Sequence, residues 1–220
     1  MSAPRERAVL VWERSGLRLV AVEPDDAMVR EHATTLTRWY TDEENASMMG
    51  GSTTMTEEDT RAYWADLRAK GGRGFLYFVD GVLTGDSDLR SLGHDPAVGR
   101  YAEFAIMIGE GASKGRGLGR ALAEMVHVFA FRELGLARVY GQPKPENTRV
   151  RRLEASIGYV RDESPLARSL ADDDAALTAS VTPEAFRARC AAAWHEVAAR
   201  YMQTTHSSGS QHSPRKDPCG

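Results

Sequence analysis

Apolar and polar residues alternate along Tyr101-Ala-Glu-Phe-Ala-Ile-Met-Ile108, with Phe104, Ile106 and Ile108 on one face and Glu103, Ala105 and Met107 on the other. A period of two predicts a strand. The period then lengthens: Leu118, Leu122, Met125, Phe129 and Leu134 recur near helical spacing, and Gly135 supplies a stop. Arg138-Val-Tyr-Gly-Gln142 reads as another short strand, so these segments form a βαβ unit. Upstream, Phe75-Leu-Tyr-Phe-Val79 and Val82-Leu-Thr-Gly-Asp86 flank Asp80-Gly81, a hairpin with its turn. Thr56-Glu-Glu-Asp59 before Trp64 and Leu67 predicts a capped helix. Downstream, Leu177-Thr-Ala-Ser-Val181 reads as a closing strand, and Thr182-Pro183-Glu184 opens a helix over about 183–202. Phe186, Cys190, Trp194, Val197 and Tyr201 form one stripe along that helix, to finish the core or meet a second subunit.

Between the strand at 101–108 and the helix lies Lys114-Gly-Arg-Gly-Leu-Gly-Arg-Ala121. Gly115, Gly117 and Gly119 let the backbone turn sharply and approach a ligand, while the helix start offers unpaired N–H groups and a positive dipole end. Lys114, Arg116 and Arg120 add charge, so the stretch is a candidate phosphate cradle. It is neither of two familiar nucleotide loops. Ser113 before Lys114 and Gly115 after it break the Walker A order, and counting from Gly117 puts Leu122 where a dinucleotide loop needs glycine.

Read from Lys114 to Gly119, the pattern of a basic residue, two variable positions, Gly, one variable position and Gly resembles the acyl-CoA pyrophosphate loop of the GCN5-related N-acetyltransferases (GNAT). Lys stands where that family usually has Arg or Gln. Pro145-Glu-Asn147, then Val150, Leu153 and Ile157 and the closing Gly158-Tyr159, resembles the family's second signature. Asn147 is also a good helix N-cap. The order Ala130-Phe-Arg-Glu-Leu-Gly-Leu-Ala-Arg-Val139 is most similar to the RimJ/RimL branch, as are Leu17-Arg-Leu-Val-Ala-Val22 and Glu23-Pro-Asp-Asp26, an opening strand and helix start.

The resemblance implies an α/β (α+β) fold, a mixed, mostly antiparallel central sheet flanked by helices. Its fourth and fifth strands splay to hold acetyl-CoA, the acyl donor. It implies donor contacts from Ile106, Met107, Ile108, Lys114, Gly115, Arg116, Gly117, Leu118, Gly119 and Arg120, with Asn147 on the pantetheine or its ordered water. Backbone N–H groups near Met107 or Ile108 would meet charge developing on the carbonyl oxygen.

An aliphatic amine with a pKa of about 10 is mostly protonated at neutral pH, so transfer benefits from a base. Glu103, projecting from the strand beside the thioester, is the first candidate; a structural salt bridge is the alternative. The family's usual acid is a Tyr seven residues after the signature Asn, where this chain has Glu154. A protonated Glu154, Tyr159, Tyr140 or water are substitutes.

Composition sets outer bounds. With 220 residues, 42% hydrophobic, the chain can bury one core, read as a single domain over 1–203 with a Ser-, His-, Gly-, Gln- and Pro-rich disordered tail at 204–220. A net charge of −3 gives no argument for nucleic acid, and no apolar run approaches the ~20 residues a membrane span needs. The apolar run Ala8 to Trp12 is too short for a signal peptide, so a cytoplasmic location is expected. Cys190 and Cys219 make no disulfide framework, and the six histidines form no ligand-like cluster, so no metal is expected. His127 reads as a packed or half-exposed helix residue.

The acceptor is less defined. Trp39, Tyr40, Met48 and Met49 are pocket candidates or plain core, and Asp42-Glu43-Glu44 and Asp172-Asp-Asp174 are cation-attracting or simply solvated loops. The leading expectation is acetyl transfer to a primary amine of a small molecule, by a monomer or homodimer. The alternatives are acetylation of a peptide N-terminus and a non-catalytic acyl-CoA-binding module.

Overall fold

The computed structural model describes residues 6–49, 51–109, 117–171 and 178–202. Lys114, Gly115 and Arg116, the acidic run at 172–174 and the tail at 204–220 lie outside the described residues.

The chain runs β1 (Arg7–Arg14), β2 (Leu17–Val22), α1 (Asp26–Thr41), α2 (Glu43–Met49), α3 (Glu57–Ala69), β3 (Arg73–Val79), β4 (Val82–Asp95) and β5 (Gly99–Ile108). Then follow α4 (Leu118–Val128), β6 (Arg138–Gly141), α5 (Thr148–Ile157), β7 (Val160–Arg161), α6 (Pro165–Leu170), β8 (Ala179–Val181), α7 (Pro183–Arg189), α8 (Ala191–Glu196) and β9 (Ala198–Met202). The strands form one sheet in the order β7-β8-β6-β5-β4-β3-β2-β1-β9, antiparallel except for β5 and β6. This is the mixed, mostly antiparallel architecture that the resemblance implies.

Local chemistry explains most element ends. Asp80 and Gly81 both take positive φ, which suits the tight turn joining β3 to β4. Thr56 and Asp59 cap α3 reciprocally, and Asp25 caps α1 by accepting from the Met28 N–H. Gly158, at φ 107°, ends α5 in the left-handed region. The predicted long helix forms as α4 plus a π-helical turn at Phe129–Glu133.

Two sequence readings are corrected. The helix expected over 183–202 breaks at Cys190 (φ −127°, ψ 41°) into α7 and α8, and the chain then turns into β9. Strand pairing explains the change: β9 lies antiparallel to β1, Arg7 to Met202, and the indole of Trp12 donates to Glu196 at 2.9 Å. The stripe therefore divides, with Phe186, Cys190 and Val197 buried and Tyr201 exposed. Asp42-Glu43-Glu44 is no loop either: Asp42 accepts from the Asn45 N–H at 3.1 Å, and Glu43 and Glu44 form the first turn of α2.

Two packed layers flank the sheet. Phe75, Tyr77, Leu89 and Phe104 face α4, whereas Leu76 and Met107 face α1 and α3 with Trp39, Tyr40 and Trp64. His127 is buried in the first layer. Its Nδ1 lies 2.8 Å from the Ala123 carbonyl, an acceptor only, so Nδ1 carries the proton and Nε2 accepts from the Tyr159 hydroxyl at 2.7 Å. Burial lowers the His127 pKa to about 4, against the opposing pull of that carbonyl. The unfolded chain therefore binds a proton near pH 6.5 that the folded chain refuses until about pH 4, so this contribution is whole above 6.5 and is lost as pH falls between the two. We expect the urea midpoint to drop across that window, with His127→Gln flattening the drop.

Candidate active site

β5 and β6 pair only over Tyr101↔Arg138, Ala102↔Val139 and Glu103↔Tyr140. Beyond Glu103 the strands part, and Phe104 to Ile108 continue along β4 alone. The splayed pair is therefore β5 and β6 here, the extra N-terminal strand β1 shifting the count by one. A cavity of about 260 Å³ opens in this gap, lined by Ile106, Met107, Ile108, Gly117, Gly119, Arg120, Asn147, Val150 and Leu153.

The start of α4 is shaped for a close approach. Gly117 is left-handed (φ 75°) and, among the described residues, no side chain caps the first turn. A Cβ on Gly119 would lie 3.3 Å from Ile108 Cγ1 and 3.5 Å from Leu153 Cδ1, so a side chain there would enter the gap. Leu118 turns into the core, and the Arg120 guanidinium bonds Glu124 at 2.7 Å. Asn147 caps α5, accepting from the Val150 N–H at 3.1 Å, while lining the same cavity. An elongated ligand with an acyl arm and phosphates fits this set: free backbone edge on β5, an uncapped helix start, and glycine where bulk would obstruct.

A second cavity, about 410 Å³, lies on the α1 and α3 side of the sheet and meets the first at Ile106, Met107 and Met49. Tyr40, Tyr63, Asp86, Asp88 and Arg90 line it with Met55 and Ala46. The register puts Asp86 opposite Met107 and Asp88 opposite Ala105, so both carboxyls share the face of Met107. Asp86 Oδ2 accepts from the Tyr40 hydroxyl at 3.2 Å, which in turn accepts from the Trp64 indole. Asp88 Oδ2 accepts from the Tyr63 hydroxyl at 2.6 Å. Burial, then the charge of Asp88, push Asp86 up to about 8 against the Tyr40 bond. Burial also raises Asp88, opposed by Arg90 and Tyr63. Carboxyls with raised pKa values in a cavity make this a candidate acid–base site.

The predicted catalytic residues lie apart from this junction. Glu103 shares the face of Asp86 and Asp88, but it sits where β5 and β6 part and accepts from Gln142 Nε2 at 2.5 Å. It lines neither cavity. Glu154 is buried behind β6: a Cβ on Gly141 would meet its Oε1 at 2.0 Å, and burial pushes its pKa up to about 8. Tyr159 is committed to His127. Among the acceptor candidates, Tyr40 and Met49 line the second cavity, and Met48 and Met49 the first. Trp39 packs against Gly109, where a Cβ would come within 1.9 Å of the indole. Asp86 and Asp88 escaped the sequence reading; the signal was their spacing of two in a strand pattern that runs past Asp86. Among the described residues no group of three His, Cys, Asp or Glu could hold a metal, and no helix is long and apolar enough to cross a membrane.

The family model described as an acetyltransferase (GNAT) domain matches residues 17–160. No curated protein matches the chain. Among solved structures, the chain is similar to the aminoglycoside acetyltransferase AAC(6')-Ib in complex with coenzyme A, at 17% identity and TM-score 0.61 over 78% of this chain and 96% of that one. It is also similar to Mycobacterium smegmatis RimJ in complex with CoA-disulfide, at 20% identity and TM-score 0.62 over 88% of this chain and 96% of that one. A third is spermidine N-acetyltransferase from Vibrio cholerae in complex with CoA and spermine, at 18% identity and TM-score 0.62 over 79% and 99%. At these identities the likeness speaks for the fold, and the family model spans both the acceptor-side strands and the splayed pair: the chain belongs to the GNAT acetyltransferase family.

Proposed function

We propose that the chain transfers an acetyl group from acetyl-CoA to a primary amine of a small molecule, by direct attack with both substrates bound. The observation that carries this reading is the meeting of two cavities at Ile106, Met107 and Met49, one fitted to an acyl-CoA arm and the other acidic.

Bound acetyl-CoA supplies an acetyl group activated as a thioester. Ile106, Met107 and Ile108 offer it backbone groups, Gly117 and Gly119 leave room beside it, and Asn147 flanks it from α5. The amine enters as an ammonium and gives one proton to Asp86, the second cavity's carboxylate opposite Met107. Its nitrogen then forms the C–N bond as the C–S bond breaks, and sulfur leaves with the electron pair. The nitrogen's second proton ends on that sulfur, so the products are an amide and a thiol, with the first proton passing from Asp86 to solvent. We favour Asp86 over Glu103 as the base because Asp86 lines the acceptor cavity and Glu103 does not. Burial pushes the Glu154 pKa up to about 8, which would suit an acid, yet Gly141 and Tyr159 enclose it, so we assign the sulfur's proton to no side chain.

The donor half is tested by heat. Acetyl-CoA at about 100 times its Kd stabilises a binding protein by ~2.7 kcal/mol, a rise of several degrees in Tm for a chain this size. No shift at millimolar acetyl-CoA would remove the donor from the account. Release of thiol across a panel of amines and N-terminal peptides then tests the acceptor, and preference for a peptide would favour the N-terminal activity.

A further inference from the structure

Asp88 is more than the structural partner of Tyr63. It is 5% exposed, and its Oδ1 is buried without a hydrogen-bond donor. Arg90 Nε makes a long ion pair with that oxygen at 3.7 Å, too far for a hydrogen bond. A buried carboxyl oxygen left short of a donor costs stability unless something supplies one. The cavity that Asp88 lines is where a donor can enter.

Asp86 and Asp88 are two residues apart on one face of β4, so their Cα atoms lie roughly 6.5–7 Å apart along the strand. Asp86 lies opposite Met107, at the junction with the donor groove; Asp88 lies opposite Ala105, one repeat farther away. An amine reacting at the Met107 junction sits beside Asp86 and leaves Asp88 one repeat farther from the donor groove. Between and around them the wall is Met55, Ala46 and the Tyr63 ring, suited to a short hydrocarbon or sugar spacer. We infer that the acceptor carries two amino groups a few bonds apart, one reacting beside Asp86 and the other held as an ammonium by Asp88, whose Oδ1 accepts no hydrogen bond and keeps only its long ion pair with Arg90. This rests on the acetyl-transfer reading above, and adds to it a second subsite and a substrate class.

The test compares kcat/KM, by thiol release, for a short aliphatic diamine, a diamino sugar, the monoamine of the same length as the diamine, and a tripeptide with a free N-terminus. At least one diamine is expected to exceed the monoamine about tenfold or more, the scale of a buried charge-assisted bond. Which one does so separates an aliphatic from a sugar-borne source. Asp88→Asn should collapse the diamine to monoamine ratio, mainly through KM. Tyr63→Phe, which keeps the ring and removes the hydroxyl that orients Asp88, should shrink the same ratio, so the inference stays testable if Asp88→Asn folds poorly. Equal kcat/KM for diamine and monoamine, a tripeptide as good as either diamine, or an unchanged ratio in both variants would overturn it. In those cases amine-dependent thiol release still stands and only the second subsite is lost. Absence of both thiol release and stabilisation by acetyl-CoA would instead remove the acetyl-transfer reading, and the inference with it.

Discussion

Asp86→Asn lowers kcat by about 10²–10⁴, the range for removing a positioned base, and at the same time raises Tm above pH 8. Both effects have one source. The carboxyl is buried beside the charge of Asp88, so its folded pKa is pushed up to about 8. The unfolded carboxyl ionises near pH 3.9. The folded state thus holds a proton that the unfolded state releases, and the stability this gives is whole below about pH 4 and lost as pH rises towards 8. Asparagine keeps the shape and carries no charge, so it removes that loss. The same ionisation controls the wild-type rate: a base works only when deprotonated, so kcat/KM should climb through a limb near pH 8 that Asp86→Asn abolishes. Tyr40, Tyr63, Asp88 and Arg90 face Asp86 in the cavity and set that limb, so Tyr40→Phe, removing a bond to the ionised form, should move it upward. Faster turnover at low pH in the variant, or unchanged kcat, would rule Asp86 out as base.

Gly119→Leu is the second large effect. Even the first carbon of a side chain there would stand 3.3 Å from Ile108 Cγ1 and 3.5 Å from Leu153 Cδ1, and the remaining three would fill the gap between β5 and α5. Forcing bulk into such a space costs about 1–3 kcal/mol, or roughly 5–150-fold in affinity. We expect the Kd for acetyl-CoA to rise by that factor, measured by calorimetry. The helix should survive, because leucine is the better helix former. Gly119→Ala is the control, with a smaller loss. Equal affinity in Gly119→Leu and wild type would place the donor elsewhere.

Much of the structure around the gap between β5 and β6 was legible because its signals are local. Asp80-Gly81 dictates a turn, Thr56 and Asp59 a capping box, Asn147 a helix start and Gly158 its end, each through chemistry within a few residues. The alternation at 101–108 gave the correct faces of β5, and the helical spacing after Gly117 gave α4. What escaped depends on distant partners. Ala8 to Trp12 is only a brief apolar run until β9, nearly the whole chain away, pairs with it. The stripe from Phe186 to Tyr201 keeps helical spacing, yet edge pairing and the Trp12 to Glu196 bond draw its last part into a strand.

The second cavity was obscured by the same physics. Gly85-Asp86-Ser87-Asp88 is polar enough to resemble the end of a hairpin, whereas β4 continues to Asp95 and α1 and α3 cover both carboxyls. Burial of a carboxylate is a property of what packs over it, and no local pattern records that. Glu103 was read on the correct face, but the point at which β5 and β6 separate decides which residues of that face reach the junction. β6 itself runs one residue farther, to Gly141, which pairs with β8 and no longer with β5.

The most direct measurement is thiol release from acetyl-CoA with and without a small primary amine, in wild type and Asp86→Asn, across pH 6 to 9. The account predicts release that requires the amine, rises through a limb near pH 8 in the wild type, and falls at least about a hundredfold in the variant. Amine-dependent release that is equal in the two proteins at every pH would contradict it.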